Sequence, residues 1–123
     1  MTEHQEQAAF FQWLRLVHPE LAEMATAVPN GGHRHISVAK KLKAEGVSPG
    51  YPDILIDYPQ GPYHGLRIEM KAPRGPRGGV RNGPTLEQNA WLCRLRVRGY
   101  AAKEAYGCDE AILLVKRYLE LGK

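Results

Sequence analysis

The chain has 123 residues, 43% of them hydrophobic, with 17 Lys and Arg against 13 Asp and Glu. That length supports one core and no comfortable division into two, so a single domain over 1–123 is expected. No apolar window is long enough for a membrane span, and MTEHQEQAAFF has neither the basic start nor the apolar run of a secretion signal, so a cytoplasmic, membrane-free protein is expected. The net charge of +4 favours an anionic partner.

From the N-terminus, Ala9, Phe10, Trp13, Leu14 and Val17 recur at helical spacing, predicting an amphipathic helix over 3–17 that ends before Pro19. MATAVPNGG predicts a short strand and an Asn30-Gly31-Gly32 turn, followed by a helix over 37–44 that stops at Gly46. Two strands are predicted over 52–58 and 65–72, and the turn formers of PQGPYHG let them run antiparallel. The Gly/Pro-rich stretch KAPRGPRGGVRNGPTL follows; it holds Lys71, Arg74, Arg77 and Arg81 without an acidic residue, a composition suited to a phosphate backbone or to a solvated loop. A helix over 85–98, a strand over 100–106 and a helix over 109–121 complete an α/β alternation. Cys93 and Cys108 lack metal-ligand spacing and read as reduced thiols.

Strand alternation isolates the chemistry. Ile54, Ile56 and Tyr58 share one face, as do Leu66, Ile68 and Met70, so two apolar faces join in a core. The other face carries Asp53 beside Glu69 and Lys71. Two carboxylates that close repel unless a cation lies between them, and a hard divalent ion such as Mg²⁺ or Mn²⁺ suits oxygen donors. An ammonium two residues further along the strand would stand near the attacking water and an incoming phosphate, which is the arrangement of phosphodiester hydrolysis. An exposed sheet face carrying ordinary solubilising charges is the competing reading. The combination of an Asp behind a Pro, an E-x-K on the next strand, a basic loop and a long helix favours the first.

Pro52-Asp53 with Glu69-Met70-Lys71 resembles the PD-(D/E)XK nuclease signature, and the surroundings resemble its VRR-NUC branch. The matching features are Glu6 on the first helix, Asn30-Gly31 after the first strand, Gly50-Tyr51-Pro52-Asp53, the loop Ala72-Pro73-Arg74-Gly75 and Gln88 at the next helix start. The resemblance implies a restriction-endonuclease-like α/β fold, a mixed sheet flanked by helices, of the stand-alone bacterial or phage type. It implies Asp53 and Glu69 as ligands of Mg²⁺ or Mn²⁺, the Met70 carbonyl as a further ligand, Lys71 at the attacking water, and Glu6, with Glu3 as competitor, reaching the metal shell. Gln88 would position Lys71 or the phosphate, and it also fits a capping box with Thr85. Arg74, Arg77, Arg81, Asn30 and Arg34 are the expected DNA contacts, with His35, Lys40, Lys41 and Lys43 as a second basic surface or a solvated helix face.

The implied activity is a structure-selective endonuclease. The first choice is a Holliday-junction resolvase acting as a homodimer on a four-way junction, with the last helix as a candidate dimer surface. A nuclease of the same fold acting on flaps, nicks or other DNA, and a DNA-binding module that does not cut, are the alternatives.

Overall fold

The computed structural model describes residues 1–29 and 35–123. Helix α1 (Glu3–Val17) opens on a reciprocal capping box: Gln5 N donates to Thr2 Oγ1 at 3.1 Å and Thr2 N to Gln5 Oε1 at 2.9 Å. It stops at His18, where Pro19 begins a one-turn helix α2 (Pro19–Ala22) that helical periodicity had not revealed. Strand β1 (Ala25–Ala27) follows, then α3 (Ile36–Ala44), capped by His35, whose Nδ1 accepts from Ser37 N at 3.2 Å. Strands β2 (Ile54–Ile56) and β3 (Leu66–Lys71), helix α4 (Leu86–Val97), strand β4 (Ala101–Tyr106) and helix α5 (Cys108–Glu120) complete the chain. The predicted turn at Asn30 lies outside the described residues.

The four strands lie in the order β1-β2-β3-β4. The first two pairings are antiparallel and β3 with β4 is parallel, so α4 is the crossover between them. On one face, Ile54, Ile56, Leu66, Ile68, Met70 and Ala105 meet Phe10 and Leu14 of α1 and Ala111, Val115 and Tyr118 of α5. On the other, Leu92 and Leu95 of α4 pack on Ala102, with Tyr51, Trp91 and Tyr100 around them. The sheet is thus covered by helices on both sides, and the expected α/β architecture is present.

One strand departs from the sequence expectation in its length. The strand expected over 52–58 is only three residues long; before its start, the Met70 amide donates to the Asp53 side chain (Oδ2, 2.8 Å) instead of to a backbone carbonyl. The polar face of β3 is no solvated surface, since Arg67, Glu69 and Lys71 are all buried, against the competing reading of ordinary solubilising charges. Arg67 tolerates this by pairing with Asp57 at 3.0 Å, donating to the Tyr51 hydroxyl at 3.2 Å and stacking 4.6 Å from the Tyr100 ring centre.

Candidate active site

The register of β2 on β3 sets Ile54 opposite Ile68, so the next step places Asp53 opposite Glu69. Asp53 is fixed at both ends: its carbonyl accepts from Val28 N at 2.7 Å and its Oδ2 from Met70 N at 2.8 Å. Glu69 is only 2% exposed. Burial, then the hydrogen bond to Asp53 and the charge of Asp53, push its carboxyl from the usual 4.5 up to about 9, against the pull of Lys71. At neutral pH the Glu69 carboxyl therefore keeps its proton and faces Asp53. A divalent cation in place of that proton would ionise both, and the donor set is hard oxygen, so the residues fit Mg²⁺ or Mn²⁺. Among the described residues no group of three or more His, Cys, Asp or Glu side chains is gathered for a metal, and the fit rests on this pair.

Lys71, on the same face two residues along, is 7% exposed, and its Nζ donates to Gln88 Oε1 at 2.7 Å. The same oxygen accepts from Thr85 N at 2.9 Å, while Gln88 N donates to Thr85 Oγ1 at 3.2 Å. The two roles foreseen for Gln88, helix cap and partner of Lys71, thus meet in one atom. Gly50 explains why the chain approaches Asp53 through a glycine. Its φ is +84° and an added Cβ would lie 2.7 Å from the Glu87 carbonyl carbon and 2.9 Å from Gln88 N, so only glycine lets this loop touch the head of α4.

Glu6 takes a task other than the expected one. It is buried, and its Oε1 accepts from Cys108 N at 3.0 Å, capping the start of α5 across the domain. Glu3, one turn earlier and exposed, is the helix-one carboxylate whose charge acts on Glu69. Met70 points its side chain into the main core and offers its amide to Asp53. The sequence reading missed Glu104, which the β3–β4 register places beside Glu69; only the parallel pairing, invisible in a linear pattern, brings it there. Its charge helps to hold the Tyr106 hydroxyl above its usual range, behind the larger effect of burial.

The basic loop divides. Arg74 pairs with Glu110 at 2.6 Å and lies 4.4 Å from the Tyr106 ring centre, so the fold already occupies it. Arg77 and Arg81 are exposed and have no ion-pair partner among the described residues. Arg34 and Asn30 lie outside the described residues, as does His33. A groove of about 530 Å³ between α3 and the head of α4 is lined by Lys40, Lys43, Gly50, Thr85 and Gln88, next to the partner of Lys71.

A mixed sheet between helices, with an Asp-Glu pair and a lysine on its central strands, defines a restriction-endonuclease-like domain of the PD-(D/E)XK class. The chain superposes on the solved structure of a VRR_NUC domain protein with a TM-score of 0.84 and 32% identity, over all of this chain and 92% of the other. It belongs to the VRR-NUC family, a family of nucleases. No family model matches the sequence, and no curated protein does. No helix among the described residues is long and apolar enough to cross a membrane.

Proposed function

We propose that the protein is a Mg²⁺- or Mn²⁺-dependent, structure-selective DNA endonuclease that resolves four-way junctions as a homodimer. The observation that carries the reading is the placement of Asp53 opposite a buried Glu69 on facing strands, beside a lysine held in place by Gln88. A buried carboxylate pair this close is costly unless it has a cation to bind, and a lysine tied to a helix head is a positioned donor rather than a solubilising charge.

Asp53 and Glu69 hold the metal, which supplies charge neutralisation at the scissile phosphate and a lower pKa for the attacking water. Glu3 stands at the rim of the site as the helix-one carboxylate. Lys71 orients the water or donates to the phosphate as negative charge develops. Arg77, Arg81, Lys40 and Lys43 contact the DNA backbone on either side, and phosphate contacts of this kind position a substrate without reading its sequence. Branched DNA is the favoured substrate because a small domain with one site makes symmetric cuts only in pairs.

The test is cleavage of a labelled four-way junction beside duplex, flap and single-stranded controls, with Mg²⁺, Mn²⁺ or EDTA, for wild type and Lys71→Ala. Paired metal-dependent nicks lost with Lys71→Ala are expected. Preference for a flap or duplex would retain the chemistry and change the substrate; binding without cutting in every metal would overturn the reading.

A further inference from the structure

Helix α4 is apolar on two opposite faces, and the fold accounts for one of them. Leu92 and Leu95 face the sheet and are buried. At about 100° per residue, Leu86, Ala90, Cys93 and Val97 fall together on the far side. Leu86 is 89% and Val97 80% exposed, Cys93 is exposed and Ala90 half-buried. The steps of four, three and four residues are those of a coiled-coil seam rather than of scattered surface hydrophobes. The last helix does not offer an equivalent: Ala111, Val115 and Tyr118 turn inward and Leu119 packs on the main core.

We infer that this seam is where a second copy of the chain docks, α4 against α4, antiparallel about a two-fold axis between Ala90 and Cys93. The inference deepens the homodimer part of the reading above and rests on it for its biological purpose, though not for its geometry. Antiparallel pairing puts Leu86 on Val97 and Ala90 on Cys93, a large residue on a large one and a small on a small. Charge points to the same occupant. Glu87 is the one acidic residue of α4 and borders the seam; Arg94 borders it on the same side, seven residues on. In the antiparallel pair each Glu87 meets the other copy's Arg94, giving two symmetric ion pairs. Within a single chain neither forms an ion pair among the described residues; Arg94 lies 4.4 Å from the Trp91 ring centre. A seam of three helical turns buries less than a standard interface, so a dimer with Kd on the order of 10 µM is expected in the absence of DNA.

The experiment is light scattering coupled to size exclusion, up to about 200 µM, together with a crosslink. Leu86→Glu and Val97→Glu, at exposed positions, are expected to weaken the dimer about 100-fold. Glu87→Arg and Arg94→Glu are each expected to weaken it about tenfold, and the two together to restore it. In a Cys108→Ser background, Ala90→Cys sets a thiol opposite Cys93 of the other copy, and mild oxidation should give a covalent dimer. A monomer at every concentration overturns the inference, and so does a dimer indifferent to Leu86→Glu. Crosslinking through Cys93 alone, without Ala90→Cys, would mean parallel helices and overturn the two-fold arrangement. Failure of this surface and failure of the enzyme reading are separable: a monomer that still cuts flaps or duplex in Mg²⁺ removes the seam only, and a dimer that cuts nothing removes the nuclease only.

Discussion

Glu69→Gln should abolish cleavage and at the same time make the metal-free protein more stable at neutral pH. The Glu69 carboxyl, held at about 9 in the folded chain against a usual 4.5, keeps its proton in the folded state while the unfolded state loses it. Between those two values the folded state binds one proton more, so stability falls as pH rises; below 4.5 both states are protonated, and above about 9 both are ionised. Each unit of pH in that window costs about 1.4 kcal/mol, so by pH 7 the loss approaches a ceiling of about 3 kcal/mol. Glutamine keeps the size and hydrogen bonding of the protonated acid but cannot ionise.

The assay is urea unfolding in EDTA from pH 5 to 8 for wild type and Glu69→Gln. The two should be close at pH 5 and diverge in favour of the variant as pH rises. Mg²⁺ at ten times its Kd should then return about 1.4 kcal/mol to the wild type and nothing to the variant. Parallel pH curves, or a variant less stable than wild type at pH 7, would refute the raised proton affinity of Glu69 and with it an argument for a cation beside it.

Gln88→Ala should lower kcat by about 10–100-fold by freeing Lys71, whereas Thr85→Ala, which removes only the cap, should cost about 1 kcal/mol of stability and leave kcat within a few-fold; equal kcat losses in both would mean that the helix start matters and the lysine contact does not. Gly50→Ala should mimic Gln88→Ala in activity, because the added methyl pushes on Glu87 and Gln88, and unchanged kinetics would show that the loop can yield. Glu6→Ala should lower stability by about 1–2 kcal/mol at the start of α5 with metal affinity retained, while Glu3→Gln should weaken Mg²⁺ binding by calorimetry with stability retained; the reverse pattern would return Glu6 to the metal shell. Arg77→Ala and Arg81→Ala should each flatten the dependence of log Kd for DNA on log salt by about one, and Arg74→Ala by less, since Arg74 is already paired with Glu110; equal slopes in all three would contradict the division of the loop.

What the sequence disclosed was local. The α1 and α5 periods, the alternation in β3 and the capping box at Thr85 are written in neighbouring residues, and from them Asp53, Glu69, Lys71 and Gln88 assemble without knowledge of the rest. What it withheld depends on elements meeting across the fold. Whether Glu3 or Glu6 serves the site depends on how α1 rotates against α5, and the Cys108 amide that claims Glu6 is 102 residues away. Arg74 looked free because Glu110 lies 36 residues on. Glu104 joins Glu69 only through the parallel register. The burial of β3 on both faces depends on α1 and α5 on one side of the sheet and α4 on the other, and the sequence gives these helices without their docking faces.

Helix α4 is the point on which fold and chemistry depend together. An E-x-K on an exposed strand would be two ordinary charges, each near its usual pKa and held loosely by its own rotamers. Under α4 the same residues lose water, which raises the proton affinity of Glu69 and makes the pair a receiver for a cation. The head of the helix supplies Gln88, which converts a flexible lysine into a fixed donor. The apolar contacts of Leu92 and Leu95 with Ala102 hold that lid in place, so part of the core's stabilisation offsets the cost of the buried carboxyls. A substitution that loosens α4 should therefore reach the site twice, by hydrating Glu69 and by releasing Lys71, even where it touches neither residue.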